Sequence, residues 1–152
     1  MPRQTETETT KAPRKAPRKT RTKDQEVQDY LDRYARALTA GDGETVASMW
    51  DVPAIVVGED EAIVITELQQ VSDFFGAAKP MYNARGIFTT RAELIDVDRI
   101  SDNLVNCLVR WPHLDANEEE IGEESSSYTL RRGSDGHLKM RVVVMRGEKP
   151  KH

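Results

Sequence analysis

The chain changes its apolar period once, near Gly86, and that change restricts the fold more than any other feature. Before it, apolar side chains recur mainly at helical spacing; after it, they alternate over four long stretches. Val27, Tyr30, Leu31, Tyr34 and Leu38 mark a first helix, opened by a Thr22…Gln25 capping box and stopped by Gly41. Asp42 is placed to cap a short second helix through Val46, Met49 and Trp50, which Pro53 ends. Residues 54–57 and 62–65 form a hairpin around Gly58-Glu59-Asp60-Glu61. A Thr66…Gln69 capping box opens a third helix with Leu68, Val71, Phe74 and Phe75 inward, kinked or ended by Pro80. Strands are expected over 87–100, 103–114, 125–132 and 137–146, with an acidic loop over 115–124. Helices first and antiparallel strands after them make an α+β fold, with helices packed on one face of a sheet.

Charge divides the chain differently. Residues 1–23 hold eight Lys/Arg against Glu6 and Glu8, a net of +6, while residues 24–152 carry a net of −10. The tail repeats KAPR at 11–14 and 15–18 and has only Met1, Ala12 and Ala16 as hydrophobic residues. Such a segment buries too little to offset the entropy of ordering, so residues 1–23 read as a disordered basic tail and 24–152 as one domain. A Lys/Arg/Pro tail can neutralise nucleic-acid phosphates without reading sequence, and it has no aromatic residue to stack on bases. The plainer reading is a solubilising leader with no dedicated partner, and loose docking on its own acidic body is a further alternative.

Several classes are excluded. No apolar run reaches the ~18 residues of a membrane span, and no apolar segment follows the basic N-terminus as in a secretory signal. Cys107 is the single cysteine, so neither a disulfide within the chain nor a cysteine zinc site is expected. Its apolar neighbours mark it as a buried, inert thiol. The acidic run Glu118, Glu119, Glu120, Glu123, Glu124 lacks histidine and defined loop spacing, and reads as a solvated loop; no metal and no cofactor is expected. The expected location is cytoplasmic.

The segment Arg33-Tyr34-Ala35-Arg36-Ala37-Leu38-Thr39-Ala40-Gly41-Asp42, followed by Val46, Met49 and Trp50, resembles the opening of the nuclear-transport-factor-2-like superfamily. Val109-Arg110-Trp111, Asp115, Ser127-Tyr128-Thr129-Leu130-Arg131-Arg132 and Asp135-Gly136-His137-Leu138 are similar to the closing strands of its SnoaL-like (polyketide-cyclase-like) members. The resemblance covers residues 24–148. It implies a cone: a strongly curved antiparallel sheet wrapped around N-terminal helices, with a pocket inside, in a homodimer formed through the sheet.

The same cone hosts isomerases, dehydratases, cyclases and catalytically silent binding modules, so the residues must decide. The resemblance to ketosteroid isomerases implies a first-helix tyrosine, a base carboxylate on the first strand and a second acid. Tyr34 matches the tyrosine; the base falls on Gly58 and the second acid near Tyr128, so the set is incomplete. A dehydratase or cyclase would use a His/Asp pair, for which His113 shares a face with Val105, Cys107, Val109 and Trp111, oriented by Asp96 or Asp98. The plainer reading has Pro112 marking a strand edge and His113 at the rim. Tyr34, Trp50, Phe75, Cys107, Trp111 and Tyr128, with Met140 or Met145, either line a pocket for a flat, apolar small molecule or fill the core. The reading adopted is a binding or protein-association module, with an acid–base isomerase, dehydratase or cyclase as the alternative. The last strand supports the dimer, because Leu138, Met140, Val142 and Val144 alternate with Val143 and Met145 and make both faces apolar.

Overall fold

A computed structural model describes residues 17–150. The element order is α1 (Pro17–Ala40), α2 (Gly43–Ser48), β1 (Trp50–Val57), β2 (Ala62–Ile65), α3 (Leu68–Ala84), β3 (Glu93–Ser101), β4 (Leu104–Leu114), β5 (Glu120–Arg132) and β6 (Leu138–Pro150). The six strands form one curled sheet in the order β2-β1-β6-β5-β4-β3. The fold is α+β, as expected, but the sheet is mixed: β1 runs parallel to β6. No short turn joins those two strands, and the long excursion through α3 and β3–β5 gives the crossover that a parallel pair needs.

Helix α1 lays Val27, Tyr30, Leu31 and Tyr34 on the inner face of the sheet, all nearly inaccessible to water. It begins at Pro17, so residues 17–23 are helical rather than part of an unstructured tail, and Thr22…Gln25 lies inside the helix instead of capping it. Proline suits a first helical turn because the N–H it lacks has no intrahelical partner there. The KAPR repeats, nearly all of the proposed nucleic-acid contact, and the expectation that the tail is disordered lie largely outside the described residues. Gly41, at φ +70°, closes α1, and the Asp42 N–H bonds back to the Ala37 carbonyl. Asp42 then caps α2, accepting from the Thr45 N–H at 3.1 Å and its hydroxyl at 2.7 Å. Helix α2 is shorter than expected. Trp50 opens β1, and Pro53 sits within that strand, where pairing with β6 is interrupted between Trp50 and Ile55; proline has no N–H for the ladder.

The β1–β2 hairpin pairs Ala54 with Ile65 and Val57 with Ala62. Helix α3 starts one residue later than expected: Gln70 Oε1 accepts from the Glu67 and Thr66 N–H groups. It runs through Pro80 to Ala84. Of its expected inward residues, Val71 is buried and Phe75 packs on the core, whereas Leu68 and Phe74 are exposed. Strand β3 begins at Glu93 rather than near 87, because 87–92 crosses the open end of the sheet. There the Phe88 N–H bonds the Leu114 carbonyl and Thr90 Oγ1 donates to the Pro112 carbonyl at 2.7 Å.

Two corrections bear on function. Strand β5 begins at Glu120, so half of the expected acidic loop is sheet. Glu93, Glu120 and Glu123 converge on Arg110, and this charge pairing lets acidic residues enter the strand. In β6 the register shifts between Met140 and Val142, because Arg141 is an extra residue in the pairing with β5. Such a bulge reverses the faces. Met140 stays opposite Leu130 while Val143 comes opposite Tyr128, so Leu138, Met140 and Val143 point inward and Val142 and Val144 outward. Among the described residues no helix is long and apolar enough to cross a membrane.

Candidate functional site

Between α1, α3 and the inner face of the sheet lies a cavity of ≈ 550 Å³. Tyr34, Trp50, Phe75, Trp111 and Tyr128 all line it. Four of these rings form one cluster: Tyr34 sits 6.1 Å from Trp111 and 6.2 Å from Phe75, with Phe75 6.5 Å from Trp50. Each indole is bonded to a phenol. Trp50 Nε1 donates to the Tyr34 hydroxyl at 2.9 Å, and Trp111 Nε1 donates to the Tyr128 hydroxyl at 2.8 Å. Burial holds both phenols well above the usual tyrosine range, so both stay protonated at neutral pH. Cys107 is not in the wall. It lies in the core between Val97 and Tyr128, its thiol pushed up by burial to about 12.

Strand pairing explains which side chains reach the cavity. On β5 the inward row is Gly122, Glu124, Ser126, Tyr128 and Leu130, opposite His113, Trp111, Val109, Cys107 and Val105 of β4. Glu124 therefore stands in the cavity wall rather than in a solvated loop. Its Oε2 accepts from the Tyr82 hydroxyl at 2.8 Å and lies 2.9 Å from His113 Nε2. A carboxylate only accepts, so Nε2 is the protonated nitrogen of this pair. His113 is buried, not placed at a solvent rim, although Pro112 does lie beyond the last β3–β4 pair, Glu93–Arg110. Asp96 and Asp98, expected to orient it, are exposed residues opposite Leu108 and Asn106. The orienting acid is Glu124, across the other strand pair. Tyr82 completes this cluster from α3, with the Arg85 guanidinium 5.4 Å from its ring and Arg85 held by Glu148 at 2.7 Å. Burial and the facing Glu124 raise the Tyr82 phenol above its ordinary value.

Sequence reading did not single out Glu124 or Tyr82. The alternation Gly122-Glu124-Ser126-Tyr128 held the signal for Glu124, masked by the surrounding run of glutamates. Tyr82 follows Pro80 in a stretch that looked like a helix end.

Residues 24–148 match the family described as NTF2-like protein (DUF6841). The chain belongs to this family. No curated protein gives a significant match. Solved structures of the same shape include a domain of unknown function with a cystatin-like fold from Nostoc punctiforme, 14% identical, TM-score 0.64, covering 86% of this chain and 78% of that one. An NTF2-like protein of unknown function from Shewanella oneidensis MR-1 is 9% identical, with TM-score 0.61 and coverage of 81% and 98%. A ketosteroid isomerase-like protein from Erwinia carotovora atroseptica is 12% identical, with TM-score 0.56 and coverage of 80% and 94%. At these identities the likeness is one of fold.

Proposed function

We propose that this NTF2-like domain, read as a SnoaL-like member, binds a flat, mostly apolar small molecule in its cone. The observation that carries the proposal is the cavity itself, ≈ 550 Å³ and walled by Tyr34, Trp50, Phe75 and Trp111. That volume falls in the range of small-molecule sites, and aromatic walls with few polar groups suit a planar ligand. The environment-sensitive dye N-phenyl-1-naphthylamine provides the test. It is expected to brighten on binding, and Ala78→Trp, which projects an indole from α3 into the cavity, should weaken it at least roughly tenfold. Equal binding by a folded Ala78→Trp variant would place the dye elsewhere and overturn the reading.

The His113–Glu124–Tyr82 cluster supports a second reading, acid–base chemistry on the bound molecule. Glu124 reaches the cavity with one oxygen engaged by two donors, an arrangement that steadies a carboxylate for proton transfer. Enolisable ketones soaked with the protein in D2O should then exchange their α-protons faster than in buffer, and Glu124→Gln should abolish the acceleration. No acceleration leaves the binding reading alone.

A homodimer through the outer face of the sheet is also proposed, on different residues from those the alternation suggested. Ile55, Val64, Val142 and Val144 stand together there, Ile55 paired with both Val64 and Val142. Light scattering should give twice 17.2 kDa for the wild type and 17.2 kDa for Val142→Asp/Val144→Asp. Val143 takes no part in this face, because its side chain lines the cavity. A monomeric wild type ends this proposal.

A further inference from the structure

We infer that the cavity selects a planar ligand carrying a protonated amine, with the Glu124 carboxylate as its counter-ion. The inference rests on the cone being a binding cavity and needs no proton transfer. The two oxygens of Glu124 are used unequally. Oε2 takes both protein donors, the Tyr82 hydroxyl at 2.8 Å and His113 Nε2 at 2.9 Å. Oε1 accepts from no donor among the described residues, yet it is not sealed from solvent. The side chain keeps 26% of its surface accessible and stands in the cavity wall. The bonds on Oε2 hold the carboxylate in place, so Oε1 is left to whatever occupies the cavity.

The protein's own cations are engaged elsewhere. Arg85 is held by Glu148 at 2.7 Å and lies over the Tyr82 ring. The Lys79 stem runs against Gly41, its Cδ 2.7 Å from the position a Cβ would take there. Its Nζ lies 3.1 Å from the Asn83 amide oxygen when that amide is turned to donate to the Ile87 carbonyl. Among the described residues the ion-pair partner of Glu124 is His113 alone, on the other oxygen. A ligand that fills the cavity strips water from Oε1. An apolar ligand offers nothing in return, and a stranded charged oxygen costs more than a stranded neutral one. A carboxylate ligand adds repulsion, since Glu61 and Glu124 outnumber Lys79 in the wall. An ammonium group brings both the missing donor and the opposite charge. Strand pairing sets aromatic surface beside it: Glu124 stands opposite Trp111 on β4, and an indole attracts positive charge to its face. The rings of Tyr34 and Phe75 continue that wall and suit a planar body.

Equilibrium dialysis of the full chain at neutral pH against three probes of similar shape tests this. 2-(Aminomethyl)naphthalene carries the ammonium group, 2-ethylnaphthalene replaces it by a methyl group, and 2-naphthoate carries a negative charge instead. The amine is expected to bind at least roughly tenfold more tightly than the hydrocarbon, and the carboxylate more weakly than either. Glu124→Gln removes the charge while keeping an acceptor oxygen, and should bring the amine-to-hydrocarbon ratio to about twofold or less. Hydrocarbon binding by that variant reports an intact cavity. Glu123→Gln, whose side chain points outward to Arg110, should leave the ratio as it was. Equal binding of amine and hydrocarbon to the wild type overturns the inference and leaves the cavity reading standing. So does a preference that survives Glu124→Gln or is lost equally in Glu123→Gln. Failure of all three probes to bind removes the cavity reading and this inference with it.

Discussion

Gly43→Ala is expected to destabilise the domain by about 3 kcal/mol, at the upper end of what overpacking costs. A Cβ at that position would lie 2.2 Å from the Ser72 carbonyl oxygen and 2.8 Å from the Gly76 nitrogen. Both are backbone atoms of α3, so no side-chain rotation can relieve the contact; the helices must separate. Helix α2 leads within two residues to Trp50, so separation would also draw the Trp50 indole away from the Tyr34 hydroxyl. Gly76→Ala is the matched control. Its Cβ would meet nothing within 4 Å, and an alanine inside a helix gains roughly 0.5–1 kcal/mol over glycine. Urea denaturation of the three proteins decides the matter. A Gly43→Ala loss below about 1 kcal/mol would mean that α2 is not seated against α3 as described.

The reach of sequence reading followed the range of the forces involved. Local rules placed the α1 stripe, the Gly41 stop, the Asp42 cap and the β1–β2 hairpin, because each is decided within a few neighbouring residues. The face of Val142 was misjudged for a physical reason. A strict period of two holds only while pairing is regular, and the extra residue at Arg141 reverses it. Trp50 continued a helical pattern in sequence and was taken by β1 in space, since sheet pairing with Met140 outweighs weak local preference. The aromatic residues of the cavity were legible because large rings at inward positions must pack near one another. Cys107 was grouped with them by alternation alone; depth along β4 put it beneath the cavity.

The polar end of the cavity shows the limit best. His113 was legible as an inward residue of β4, yet its partner was sought on β3 when it stands on β5. Nothing local distinguishes Glu124 from Glu123. One sits inward beside His113 and the other outward on Arg110, and only the β4–β5 register separates them. The basic outward Arg110 and the inward His113 therefore sort a run of like charges into two structural roles.

That sorting makes Glu124→Leu the second substitution with a large expected effect, a loss of about 3 kcal/mol. Glu124 Oε2 is the acceptor for both the Tyr82 hydroxyl and His113 Nε2. Leucine removes it and leaves two donors behind. The His113 side chain is only 6% exposed, so water cannot replace the lost partner there. Tyr82 is half-buried and recovers part of its loss from solvent, which keeps the total near that of one fully stranded donor plus a fraction of the other. Glu124→Gln retains a carbonyl oxygen for one of the two bonds and should cost about 1 kcal/mol. The damage should also be local. Tyr82 ties the last turns of α3 to β5, so amide exchange should quicken over 81–84 in Glu124→Leu while the α1 stripe stays protected. A Glu124→Leu protein as stable as the wild type, with unchanged exchange over 81–84, would show that His113, Glu124 and Tyr82 do not act as one bonded unit.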